Sequence, residues 1–217
     1  EIQPEPRTHN HIIYNEVRVP FDHLLGPEDG AKVLAQRRLG GGRIHHAMRT
    51  IGQCKLAFDM MCERALSRES HGKTLSQHQT IQNWIADSEA EMTAARLMTL
   101  HAAWKMDTEG VAAARKDIAL IKFYGAKVLH DVVDRALQAH GALGYSTDLP
   151  LEAMYRFARA ARIYDGPDEV HRASVARQVL RGYEAPADGV PTERIPTRRE
   201  AARLQFADVL QAVTAND

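Results

Sequence analysis

One carboxylate in this chain has neighbours that suit acid–base chemistry. In Ala161-Arg162-Ile163-Tyr164-Asp165-Gly166-Pro167-Asp168-Glu169-Val170-His171-Arg172, Asp165 stands two residues before a proline. Pro167 suits the first position of a helix, where its missing N–H has no partner to lose. Asp165 therefore falls in a bend ahead of a helix N-terminus, with Ile163 and Tyr164 on one side and Gly166 on the other. The glycine lets a substrate or cofactor come close to the backbone, and the helix offers free N–H groups to an anion or a polarised carbonyl. A carboxylate so placed can serve as a general base. Residue types alone leave a plainer reading open, in which Asp165 or Asp168 is only a helix N-cap.

The other candidates carry less chemistry. His45 and His46 fall on different faces of a helix and read as structural or interface residues. His9 and His11 flank Asn10 in a possible strand and read as surface positions. No His-Glu-x-x-His or paired Cys-x-x-Cys occurs, so no metal site is expected. Arg156, Arg159 and Arg162 recur at three-residue spacing, which suits a solvated or salt-bridged helix face rather than a phosphate site. Asp148, ahead of Leu149-Pro150, reads as a helix cap. Cys54 and Cys62 lie eight positions apart on one helix, ~12 Å along its axis. That is too far for a disulfide, and both read as small buried residues in a reducing compartment.

The elements that must position Asp165 follow from the hydrophobic periodicity. Residues 12–19 mix β-branched and polar residues before Pro20 and predict a strand. A helix begins at Ala31, and Gly40-Gly41-Gly42 is expected to interrupt it. Beyond the glycines, Ile44, Ala47, Met48, Ile51, Cys54, Phe58, Met61, Cys62 and Ala65 form one apolar stripe. Ser67 to Lys73 is a charged loop containing glycine. A second long helix is expected over 76–108 and a third over 111–139. Gly125 on the stripe of the third lets a neighbour approach. Shorter helices follow over 149–160 and from Pro167 to about Arg181. Glu184 to Pro196 holds three prolines and reads as a linker, after which Thr197 can cap a last amphipathic helix. Three long helices joined by short loops predict a mainly α, antiparallel four-helix bundle. The domain reading is 1–27 as a strand remnant, 28–183 as the bundle, and 184–217 as linker and terminal helix.

Composition narrows the partners. The 217 residues carry 28 Lys plus Arg and 28 Asp plus Glu, a formal charge of zero. A neutral chain has no broad electrostatic reason to bind nucleic acid or an anionic membrane. No apolar run approaches the ~18 residues of a membrane span. The polar opening, Glu1 to Asn10, holds no visible signal peptide, and the chain lacks a starting methionine, as a processed chain or a piece of something longer would.

Four motifs, taken together, resemble the acyl-CoA dehydrogenase family. The Tyr164-Asp165-Gly166 segment resembles that family's aromatic residue, catalytic carboxylate and glycine ahead of a helix. Gln138-Ala139-His140-Gly141-Ala142-Leu143-Gly144-Tyr145 is similar to its Gln-x-x-Gly-Gly-x-Gly loop. Ser67-Arg68-Glu69-Ser70-His71-Gly72-Lys73 with His78-Gln79 is similar to its Arg-x-x-Phe-Gly-Lys…Gln. Asn15-Glu16-Val17-Arg18-Val19-Pro20…Leu24-Leu25-Gly26 resembles the end of its middle β-domain. The resemblance covers about residues 11–183 and implies that family's C-terminal helical domain, with a short N-terminal β remnant.

The resemblance implies an FAD-dependent α,β-dehydrogenation of an acyl-CoA thioester to a trans-2-enoyl-CoA, as in β-oxidation of fatty acids. Asp165 would be the base that removes the α-proton. Its backbone N–H, with a flavin ribityl hydroxyl, would bind the thioester oxygen, and the β-hydride would pass to the flavin. Arg68 would contact the FAD pyrophosphate of a neighbouring subunit. His78, Gln79, Gln138, Gly141 and Ala142 would line the adenosine end, with Pro167, Asp168 and Glu169 at the helix start touching FAD. Arg43, Gly166 and Arg177 match positions near substrate. Electrons would go to an electron-transfer flavoprotein, and the protein would be a homo-oligomer of dimeric or tetrameric type. It would be cytoplasmic in a bacterium, or in the mitochondrial matrix or peroxisome of a eukaryote. The family's usual base is Glu, and a subgroup with Asp-Gly-Pro-Asp-Glu-Val-His resembles this chain more closely. His71 stands for the usual Phe and Ala142 for the usual second Gly. The family's N-terminal helical domain and most of its β-domain have no counterpart here, so the chain is expected to be an inactive fragment or one partner of a split enzyme. Two alternatives are a nitroalkane-oxidase-like flavoenzyme, which also uses an Asp base, and a non-catalytic helical assembly domain.

Overall fold

The structure, a computed structural model, describes residues 11–187 and 189–214. His9, and the opening that shows no signal peptide, lie outside the described residues. The chain divides into two compact units, residues 1–176 and 177–217.

The first unit is built on three long helices, α1 (Ala31–Ser67), α2 (Gln79–Glu109) and α3 (Arg115–His140). The shorter α4 (Leu151–Ala161) packs on α3, and α5 (Asp168–Leu180) starts in this unit and ends in the next. The Gly40-Gly41-Gly42 run does not interrupt α1, contrary to expectation. Glycine costs about 1 kcal/mol relative to alanine in a helix, yet packing outweighs it here. Gly40 is buried, and an added Cβ would stand 3.3 Å from Val111 Cγ1. The unbroken helix fixes the rotation of Arg43 and His46 relative to the buried stripe Ala47, Thr50, Cys54, Ala57, Met61 and Ala65.

Helix α3 touches α1, α2 and α4 and is buried on nearly every side, as an element in the centre of a bundle must be. Val128, Leu129, Val132, Val133 and Ala136 of α3 meet Met61 and Cys54 of α1, Ile81 and Met92 of α2, and Leu151 and Ala158 of α4 in one core. Both cysteines are free. Gly125 does face α1, but an alanine Cβ there would sit 3.8 Å from Thr50 Cγ2, an ordinary contact. The close approach does not require glycine.

Residues 12–19 form no strand; they are exposed, and Glu16 takes a positive φ of 48° that breaks an extended run. The sheet among the described residues is elsewhere. β1 (Glu69–Ser70) and β2 (Lys73–Thr74) make a minimal antiparallel hairpin between α1 and α2. Its turn residues His71 and Gly72 both have positive φ, 52° and 76°, as primed hairpin turns require. Asp148 does not cap α4, which follows Pro150 without a side-chain cap. Its own N–H instead donates to Ser146 Oγ at 3.3 Å.

The second unit holds α6 (Ile195–Gln205) and α7 (Ala207–Thr214). Helix α6 starts two residues before Thr197, with Pro196 in its first turn, so Thr197 is not the cap.

Met61 is fully buried in the core. Met61→Ala is expected to destabilise the protein by about 2–5 kcal/mol, against under ~0.5 kcal/mol for Glu63→Gln at an exposed site. Denaturant midpoints at unchanged slope measure both.

Candidate active site

The bend between α4 and α5 is held from three helices. Asp165 has φ +54° and Gly166 φ +101°, two successive left-handed residues. Aspartate tolerates this region better than most residues, but a non-glycine residue there costs on the order of 1 kcal/mol and persists only where the surroundings hold it. Here they do. Arg43 Nε, from α1, and His171 Nε2, from α5, each donate to the Asp165 carbonyl oxygen at 3.2 Å. Arg162 Nε donates to Asp168 Oδ2 at 2.8 Å, and the Asp168 N–H donates to the Arg162 carbonyl at 3.2 Å, closing the bend on itself. From α3, the Lys122 ammonium donates to the Ala161 carbonyl at 2.7 Å and lies 5.6 Å from the Tyr164 ring centre. Lys122 is 4% exposed, so the bond satisfies a buried charge and an α4 end carbonyl together.

The Asp165 side chain turns inward rather than capping α5. Its carboxylate is 18% exposed, with Oδ2 2.6 Å from His46 Nε2 on α1. The ring N–H is not aligned with that line, so Oδ2 is a buried oxygen lacking a well-directed donor among the described residues. Tyr164 packs against the His46 ring at 5.1 Å between centres. Burial holds the His46 and His171 imidazoles below their ordinary range, opposed in His46 by the Asp165 charge and in His171 by the Asp165 carbonyl. Burial likewise lowers Arg43 and Lys122 and raises the Tyr164 phenol. Among the described residues, the N–H groups of Asp165 and Gly166 donate to nothing. A carboxylate with two unpaired amides beside it can take a proton from a carbon acid while the amides hold the oxygen that becomes negative.

The structure brings Asp165, Gly166 and Arg43 together. Pro167 and Glu169 are exposed at the start of α5, open to a ligand. The Asp168 side chain is different: it is 1% exposed and paired with Arg162. Its side chain closes the bend. Arg177 is exposed and belongs to the second unit. Arg68, His78 and Gln79 form a second group at the hairpin. Arg68 is exposed at the end of α1, and His78 Nε2 is 3.2 Å from the Ser70 carbonyl. Arg43 and Arg68 are 25 positions apart on one helix, ~37 Å along its axis at 1.5 Å per residue. Because α2 returns between them, α1 and α3 run in the same direction, with Thr50 level with Gly125. That register puts Gln138, Gly141 and Ala142 at the hairpin end, away from Asp165. Gly141, with φ +63°, has nothing within 4 Å of an added Cβ. It offers exposed backbone to a ligand. Arg156 pairs with Glu152, and Arg162 with Asp168, so two of the three arginines on α4 are salt-bridged as expected.

Lys122 and His171 escaped the sequence reading, and His46 was read there only as a structural or interface residue. Signals existed for each. Residues 43, 46 and 49 place Arg, His and Arg on one helix face. Lys122 is a charge within the buried run around Ile121. His171 stands one turn beyond Pro167.

Gly166→Ala is expected to cost about 1–3 kcal/mol, because φ is +101° and the added Cβ would meet His171 Nε2 at 2.9 Å; thermal unfolding measures it. The depressed imidazoles also fix a sign. Between the folded His46 and His171 values and the unfolded value of ~6.5, the unfolded chain binds more protons, so stability rises with pH. The folded protein is expected to be at full strength above that value and to weaken as pH falls toward 5, with a shallower fall in His171→Asn, as denaturation midpoints across the range would record.

The model of the acyl-CoA dehydrogenase C-terminal domain matches residues 28–180. The chain is 45% identical over 172 residues to acyl-CoA dehydrogenase family member 11 of Rattus norvegicus, covering 79% of this chain and 22% of that one. It is 31% identical to the butyryl-CoA dehydrogenase of Megasphaera elsdenii, TM-score 0.71, covering 77% of this chain and 43% of that structure. It is 32% identical to a chain in the structure of the electron transferring flavoprotein of Acidaminococcus fermentans, TM-score 0.72, covering 78% and 44%. The chain thus spans less than half the length of these relatives. With a helical bundle, an ordered carboxylate bend and a family match over 153 residues (28 to 180 inclusive), this chain belongs to the acyl-CoA dehydrogenase family and carries its C-terminal domain.

Proposed function

We propose that this chain supplies the base and part of the flavin cradle of an FAD-dependent acyl-CoA dehydrogenase. The observation that carries the reading is the Asp165 bend: a mostly sheltered carboxylate, an anchored carbonyl, and unpaired amides at Asp165 and Gly166. A thioester oxygen bound to those amides would bring the acidified α-carbon to the carboxylate. Asp165 would then take the α-proton, and the amides would stabilise the enolate-like charge. FAD, when bound, accepts the hydride from the β-carbon.

The donor set suits that cofactor. Exposed Arg68 can meet a pyrophosphate, and the unobstructed Gly141 backbone with His78, Gln79, Gln138 and Ala142 can meet an adenosine. Pro167 and Glu169 lie at an open helix start near the base. The distance of the hairpin group from Asp165 suits a neighbouring copy's FAD better than one shared along a single chain, which agrees with the homo-oligomer we propose. Exposed Leu56, Leu66, Leu97, Leu100 and Trp104 support that assembly, as does a groove of about 510 Å³ between α1 and α2 lined by Met48, Ile51, Met92 and Leu100. Likeness to the chain from the electron transferring flavoprotein structure supports such a flavoprotein as electron acceptor. Asp as the base defines the subgroup we propose.

In the complete flavoenzyme, Asp165→Asn is expected to keep flavin and acyl-CoA binding while slowing flavin reduction by about a thousandfold or more. Stopped-flow bleaching under anaerobic acyl-CoA reads this directly. Bleaching at the native rate would remove Asp165 as base, and nitroalkane-dependent peroxide without enoyl-CoA would replace the reaction assigned.

A further inference from the structure

We propose that Arg49 and His46 form a fixed-tautomer relay that positions the Asp165 carboxylate with a neutral donor; the inference rests on Asp165 being the base. Arg49 Nη2 lies 2.5 Å from His46 Nδ1. Guanidinium nitrogens only donate, so Nδ1 must accept and cannot carry a proton. The ring proton is therefore on Nε2, the nitrogen 2.6 Å from Asp165 Oδ2. The Tyr164 ring packs on His46 at 5.1 Å between centres. The guanidinium thus holds the imidazole from behind, while the ring of the residue preceding Asp165 packs on it.

The groups facing this imidazole are consistent with its staying neutral. His45 and Arg49 from α1 and Lys122 from α3 add to burial in disfavouring a second proton, the Asp165 charge from the bend opposes them, and the Tyr164 ring packs alongside. A second ring proton would have to sit on Nδ1, against the guanidinium. A neutral Nε2–H stands 2.6 Å from the carboxylate without presenting a full cation to it, which would weaken its capacity to accept a proton. In the reaction the substrate C–H bond breaks and an Asp165 O–H bond forms. His46 transfers no proton and is a positioning residue.

The test uses the complete flavoenzyme and the rate of flavin reduction by acyl-CoA across pH. His46→Leu is expected to lower that rate about tenfold to a hundredfold, leave KM within about threefold, and move the acid limb of the profile to higher pH. His46→Gln keeps an N–H near the Nε2 position but cannot titrate, so it should return the rate to within about fivefold and restore the native limb. Arg49→Met frees Nδ1 and should introduce a new loss of rate on acidification, absent from the Arg49→Met/His46→Gln double variant. His46→Leu with native rate and profile overturns the relay, as does His46→Gln crippled as deeply as His46→Leu. Should His46→Leu fail to retain flavin, the Arg49→Met profile decides alone: an unchanged acid limb overturns the proposal. Asp165→Asn in the same series separates the two readings. Native bleaching in it sinks the base itself, whereas a dead Asp165→Asn beside a normal His46→Leu sinks only the relay.

Discussion

The carbonyl oxygen of Asp165 is the point on which the site depends. Two donors from different helices, Arg43 on α1 and His171 on α5, converge on it at 3.2 Å. They hold a residue that would otherwise leave its left-handed conformation. Hydrogen bonds made to fixed groups of a packed bundle give the bend a single geometry, and that geometry turns the carboxylate inward toward His46. Without the clamp, the same four residues would make a solvated loop, and a carboxylate in a loop has no reason to be directed at anything.

Charge is arranged around the bend to the same end. Arg43, Lys122, Arg162 and His171 all lie on or against it, yet each spends its donors on a backbone carbonyl or on buried Asp168. The Asp165 carboxylate is left with a polarised but uncapped oxygen. A fully paired carboxylate would be a poor base, and an unsheltered one would be solvated by water. This intermediate condition is what proton abstraction from a weak carbon acid needs. Asp168, three residues on, is held differently: Arg162 pairs with its Oδ2, while its buried Oδ1 also lacks a hydrogen-bond partner among the described residues.

The two ends of the bundle divide the labour. One carries the Asp165 bend and the other carries the hairpin and the α3–α4 loop, with α1 and α3 as rigid spacers running in one direction. The GGG run in α1 matters for this division. Had the helix broken there, Arg43 and His46 would have no fixed rotation relative to the core stripe that begins at Ala47. Burial of Gly40 against Val111 maintains the helix through a sequence that local propensity opposes.

The sequence by itself determined the helical bundle, its long helices to within a few residues, and Asp165 ahead of a proline-started helix. Those features are periodic or local, written in spacing that a single chain segment displays. It misjudged the GGG run and the 12–19 segment, where local preference yielded to packing or found no partner strand. For His46 and Lys122 the spacing could signal an unusual residue but not its partner: their roles come from residues 119 and 39 positions away, and no pattern along the chain records which helix face meets which bend. Family motifs pointed to Asp165, but only the tertiary structure decided that its carboxylate faces an imidazole, because that depends on three helices meeting at one point.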